Sequence, residues 1–158
     1  AFQQVRESVP NAHLLIVGDG SDMDNLKWIA KHLNLKSHIT FAGRVPEEDL
    51  APLHRVGTVF AMPSPMELQS IATLEAMASG KPVVAVDAGA LKELCHTDVN
   101  GYLCEQDNES EVAEALVKIL TDDALRAKFS AASLAIAREN DLNTTLDQFL
   151  AIYEDLIR

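Results

Sequence analysis

Met62-Pro63-Ser64-Pro65-Met66-Glu67-Leu68-Gln69-Ser70-Ile71-Ala72-Thr73-Leu74-Glu75-Ala76-Met77-Ala78-Ser79-Gly80-Lys81-Pro82-Val83-Val84 is the stretch whose reading decides the fold. It reads as strand, loop, helix, tight turn and strand. The helix is expected from Ser70 to Ala78, stopped by Gly80 and Pro82. Glu67 stands at the mouth of the loop and Glu75 a turn or so inside the helix. Between them, the N–H groups near Ser70, Ile71 and Ala72 have no intrahelical acceptor. Such groups can hold a pyrophosphate. A carboxylate can accept two hydroxyls at once, which suits a ribose diol or sugar hydroxyls. The loop also follows the carboxyl end of a strand, where open α/β sheets bind their ligands.

Working outward, short apolar runs recur at His13–Val17, Ile39–Ala42, Thr58–Met62 and Pro82–Val86, with a weaker one at Tyr102–Cys104. Near-continuous runs of this length suit strands buried on both faces. Between them lie helical patterns: Met23, Leu26, Ile29, Ala30 and Leu33 share one period, and Glu47-Glu48-Asp49 after Pro46 suit a helix start. Alternation of this kind means a parallel sheet flanked by helices. Beyond Tyr102 the pattern becomes helical, over Glu109–Leu120, Asp122–Arg138 and Asn143–Arg158, with Asn108 and Glu111 forming a cap. The expectation is a single domain over residues 1–158, with C-terminal helices from about 109. Those helices are expected on the sheet edge or reaching towards a neighbouring domain.

Composition removes several functions. The net charge of −11 argues against a nucleic-acid partner, which needs clustered Lys and Arg. No apolar run is long enough to span a bilayer. Cys95 and Cys104 match no zinc or redox spacing and read as two reduced thiols of a cytoplasmic protein. His13, His32, His38, His54 and His96 lack ligand spacing and read as structural or surface residues, and Trp28 reads as packing. The acids from Asp107 to Glu114 read as a solvated helix start. No metal and no cofactor are implied.

Four ordered landmarks resemble the family 4 (group 1) retaining glycosyltransferases of the GT-B fold. Glu67 and Glu75 match that family's Glu-x7-Glu pair, and Ala76-Met77-Ala78-Ser79-Gly80-Lys81-Pro82-Val83-Val84 matches the tail that follows it. Leu15-Ile16-Val17-Gly18-Asp19-Gly20, Ile39-Thr40-Phe41-Ala42-Gly43-Arg44-Val45 and Asn100-Gly101-Tyr102-Leu103 resemble the other three. The resemblance covers roughly Asn11 to Asp107. It implies a Rossmann-like donor-binding half of an enzyme that moves a hexose from a nucleotide-diphosphate sugar to an acceptor, with retention. Within it, Glu67 would lie against the donor sugar as the catalytic candidate, and Glu75 would bind the ribose. Gln69, Ser70 and Ile71 would cradle the phosphates, Arg44 and Val45 would lie near the base, and Gly18 and Gly20 would border the cleft.

The chain also departs from the family pattern. Leu68-Gln69-Ser70 stands where Gly-Phe-Gly is frequent, which restricts the loop. Residues 1–9 read as the helix after the domain's first strand, so that strand, its Arg–Lys pair and the acceptor-binding N-terminal domain are all expected to be missing. Without that partner domain the chain alone is expected to be inactive, because transfer needs donor and acceptor held in reacting geometry. The open sheet edge invites pairing with a second copy. A membrane-surface location is open to the full-length enzyme.

Simpler readings stand beside these. Glu75 can be an exposed helix carboxylate, Glu67 a capping acid, Gly18 and Gly20 plain turn residues, and Arg44 a surface residue. Rival functions are a GT-B nucleotide-sugar epimerase and a non-catalytic nucleotide-sugar-binding or interaction module. A dinucleotide-dependent dehydrogenase would need a fuller glycine fingerprint.

Overall fold

The computed structural model describes residues 1–157. The order is α1 (Phe2–Ser8), β1 (Leu14–Val17), α2 (Met23–His32), a 3-10 turn (Lys36–His38), β2 (Ile39–Gly43), α3 (Glu47–Val56), β3 (Phe60–Met62), α4 (Ile71–Ala78), β4 (Val83–Val86), α5 (Leu91–Leu94), β5 (Gly101–Cys104), α6 (Glu109–Thr121), α7 (Asp123–Glu139) and α8 (Leu142–Ile157). All five strands named in the sequence are present. The short turn before β2 and helix α5 were not foreseen. Arg158, the expected last residue of α8, lies outside the described residues.

Every strand pairing is parallel, and the strands form two sheets rather than one. β1 pairs with β2, Leu14 opposite Ile39 and Ile16 opposite Phe41. β3, β4 and β5 form the second sheet with β4 central, Phe60 opposite Val83 and Val83 opposite Gly101. The expectation of strands buried on both faces therefore holds only for β4, all four residues of which are buried. β1, β2 and β3 are partly exposed because each has neighbours on one side only.

The core lies on both faces of β4, whose alternate side chains point opposite ways. Val83 and Ala85 pack with Met77, Leu91, Leu94 and Cys95. Val84 packs with Cys104, Ala115, Ile119 and Phe129, supplied by β5, α6 and α7. Phe129 meets Tyr102 edge-on at 5.4 Å, a favoured aromatic geometry.

Local signals ended the helices as read. Gly80, at φ +70°, lets the Lys81 N–H reach the Ala76 carbonyl (3.0 Å) and its own N–H reach Met77 (2.9 Å). That is a Schellman stop. Asn108 caps α6 by accepting the Glu111 N–H at 3.1 Å. The Glu111 carboxylate does not return to the Asn108 N–H as a reciprocal box would; it accepts from Glu105 at 2.7 Å.

The expectation for Trp28 needs correction. Trp28 is not packing: it is 58% exposed and lies over the His32 ring at 3.7 Å. It projects away from Ala30, the buried residue of α2, and Leu26, Ile29 and Leu33 are themselves more than a third exposed over a two-stranded ladder. The C-terminal helices also divide. α6 and α7 pack on the sheet and on α4, but α8 buries none of its residues. No described helix is long and apolar enough to cross a membrane.

Candidate functional site

The chain leaves β3 at Met62 and crosses residues 63–70 without regular structure before entering α4. Pro63 and Pro65 limit this loop by fixing φ, and the Ser64 hydroxyl accepts the Met66 N–H at 3.3 Å. Ser70 is the N-cap of α4, yet its hydroxyl is paired with that of Thr73 at 2.7 Å, both buried, instead of capping a backbone N–H. The Ile71 N–H donates to Gln69 and that of Leu74 to Ser70, each at 3.0 Å. Those of Ala72 and Thr73 meet no acceptor among the described residues. The positive end of α4 is thus open.

Glu67 is half-buried, and its peptide is braced from below. Its carbonyl accepts the Ala90 N–H at 3.1 Å. Gly89, at φ +50°, passes so close that a side-chain carbon there would fall inside 3.0 Å of the Glu67 carbonyl oxygen. The loop after β4 therefore sets the height of the loop after β3. Sequence reading missed Gly89 and Ala90; the available signal was small residues directly after a strand.

Glu75 lies in the second turn of α4. Its Oε2 is 3.6 Å from Nε2 of His54 on α3, and its side chain is 42% exposed. His54, read from sequence as a structural or surface residue, is thus beside Glu75. Gln69 and Ile71 are exposed at the rim. The structure therefore gathers Glu67, Gln69, Ser70, Ile71 and Glu75 at the start of one helix.

Gly18, Gly20, Arg44 and Val45 form a second group, at the carboxyl ends of β1 and β2. The Gly18 N–H donates to the Gly43 carbonyl at 2.8 Å, and both glycines have positive φ, +115° and +65°. The Gly20 N–H donates to Asp19 Oδ1 at 2.8 Å. Arg44 is exposed and Val45 half-buried. No hydrogen bond or ion pair joins this group to the start of α4 among the described residues. Both groups nevertheless sit where parallel strands end, the usual ligand edge of such sheets.

The description "Glycosyl transferases group 1" belongs to the family whose sequence pattern matches residues 1–134. The chain belongs to that family. Among curated relatives, it is 34% identical over 155 residues to the phosphatidyl-myo-inositol mannosyltransferase of Mycobacterium leprae, covering 98% of this chain and 41% of that protein. Of solved structures, S. aureus TarM with UDP aligns at a TM-score of 0.86 and 23% identity, over 96% of this chain and 31% of TarM. HepE from Anabaena, solved with UDP, aligns at 0.82 and 26%, over 96% and 44%. The architecture is the Rossmann-like α/β fold of the GT-B glycosyltransferases. The chain spans about two-fifths of the length of the curated relatives it matches.

Proposed function

We propose that this chain is the donor-binding half of a retaining glycosyltransferase that moves a hexose from a nucleotide-diphosphate sugar to an acceptor. One observation carries the reading: Glu67 and Glu75 flank a helix start whose Ala72 and Thr73 N–H groups have no protein acceptor. In this reading Glu75 accepts the two ribose hydroxyls and Glu67 faces the donor sugar. The backbone at Gln69, Ser70 and Ile71 lies along the diphosphate. Charge grows on the diphosphate as the anomeric bond breaks, and the fixed N–H dipoles stabilise it without reorganising. The reading invokes no metal and no cofactor. Gly18 and Gly20 border the cleft, with Arg44 and Val45 towards the base.

The acceptor belongs to a partner domain on the other wall of the cleft, and transfer requires that domain because it sets the reacting geometry. The open edges of β1 and β3 offer pairing positions for a further strand or a second copy. In this reading the protein works in the cytoplasm, and a membrane-borne acceptor would bring the full-length enzyme to the membrane surface. That a relative from M. leprae carries the name of a phosphatidyl-myo-inositol mannosyltransferase supports a sugar donor of this class.

Calorimetric titration with UDP-, GDP- and ADP-sugars, beside Glu75→Ala, tests the proposal. Saturable binding of one nucleotide sugar, weakened in the variant, supports it and names the base. A folded chain that binds none of the three counts against donor binding and favours an interaction module.

A further inference from the structure

His54 has surroundings that a surface histidine does not need. It lies in the last two turns of α3, and α3 packs along α4. Its side chain is only 14% exposed. The ring rests against Phe60, the first residue of β3, with centroids 5.6 Å apart and planes tilted by 59°. That contact fixes the direction of Nε2, which stands 3.6 Å from Glu75 Oε2. No lysine or arginine is paired with Glu75 among the described residues. The acid therefore lies beside a ring nitrogen on a short and sterically held side chain, while its own side chain stays 42% exposed.

We propose that His54 is a positioning residue for nucleotide binding: it holds the Glu75 carboxylate in the rotamer whose free oxygen meets the ribose diol of the donor. This rests on the reading of Glu75 as the ribose acceptor. A glutamate alone samples several rotamers, and ordering it on binding costs entropy; a partner that orders it beforehand removes that cost. At 3.6 Å the contact is longer than a hydrogen bond, so its effect is modest. A histidine suits the task better than a long cation, because two torsions and the Phe60 contact leave the ring little freedom.

The consequence is specific to the sugar hydroxyls. UDP, GDP and ADP are each titrated against their 2′,3′-dideoxy counterparts with the wild-type chain, His54→Phe, His54→Gln and Glu75→Ala. Phe keeps an aromatic ring beside Phe60 but removes the nitrogen; Gln keeps a donor near its place. For the ribonucleotide that binds, His54→Phe is expected to weaken affinity about three- to tenfold. It should leave the dideoxy form unchanged, and His54→Gln should recover most of the loss. A general structural defect would weaken both forms together, and that result overturns the proposal, as does full ribose preference in His54→Phe. Glu75→Ala separates the two levels. If it keeps the preference for the ribonucleotide, the ribose role of Glu75 falls and this inference with it. If it abolishes the preference while His54→Phe does not, only the role of His54 falls. Absence of binding by all three ribonucleotides overturns both.

Discussion

Gly89 lies directly beneath the peptide of Glu67: a side-chain carbon on it would come inside 3.0 Å of the Glu67 carbonyl oxygen, and the neighbouring Ala90 N–H donates to that same oxygen at 3.1 Å. The acid read as the sugar contact is thus held by a residue 22 positions later in the chain, at the end of a different strand. Its position depends on two loops meeting without a side chain between them.

Gly89→Ala should therefore act on the site more than on the core. At φ +50° an alanine costs about 1–2 kcal/mol, and the clash is with backbone, which yields only if the loop moves. We expect a measurable fall in urea stability together with weaker nucleotide binding. Unchanged affinity in Gly89→Ala would show that the height of the Glu67 loop is immaterial to the ligand.

Gly101 and Gly20 should respond in opposite ways. A side-chain carbon at Gly101 would fall inside 3.0 Å of the Val83 carbonyl, in the middle of the three-stranded sheet, whereas at Gly20 it would meet nothing within 4 Å. Gly101→Ala should spread the β4–β5 pair and prevent folding or lower the melting temperature sharply. Gly20→Ala should stay within about 0.5 kcal/mol of wild type. A nucleotide affinity lowered by Gly20→Ala at unchanged stability would place the ligand against that turn.

Asn100 is a structural member of the Asn100-Gly101-Tyr102-Leu103 landmark. Its buried side chain donates to the Leu94 carbonyl at 2.9 Å and accepts the His96 N–H at 2.8 Å, closing the turn between α5 and β5. Asn100→Ala leaves both groups without partners and should cost about 2–4 kcal/mol in urea unfolding. Asn100→Asp keeps the bond from His96 but loses the donor to Leu94, so it should remain destabilised. A loss below about 0.5 kcal/mol in both variants would contradict this role.

The two thiols should be silent at neutral pH. Burial pushes the Cys95 thiol up to about 12 and the Cys104 thiol up to about 11, above the ordinary thiol range, so the folded chain holds both as neutral thiols. Folded pKa values raised above the unfolded ones mean that the stability they contribute is complete below pH 9. It is lost as pH rises towards 11–12, because only the unfolded chain ionises in that window. Thiol reagents should label neither cysteine without denaturant, and urea midpoints should fall above pH 9 more steeply in wild type than in the double Cys→Ala variant. Rapid labelling of the native chain at pH 7 would refute the burial of Cys95.

Much of the architecture is legible in the sequence. The five strands follow from branched apolar runs, the end of α4 from Gly80 and Pro82, and the start of α6 from Asn108, because each of these signals acts within a few residues. The grouping of Glu67 and Glu75 also followed from spacing, since both acids flank one helix start. The division into two sheets did not follow, because apolar runs say that strands exist but not which edges meet. Trp28 was misread for a related reason: helical period names a face, but not whether enough structure lies beneath it to cover that face.

By itself, then, the sequence determined the alternation of strand and helix, the family, and the segment from Glu67 to Glu75 as the candidate site. These are local properties of backbone preference and residue order. Only the tertiary structure decided that Gly89 supports Glu67, that His54 faces Glu75 across 21 residues of chain, and that Asn100 locks the turn before β5. Those contacts depend on how α3 packs against α4 and how the ends of β3 and β4 align, and packing between distant segments leaves no period or spacing in the chain.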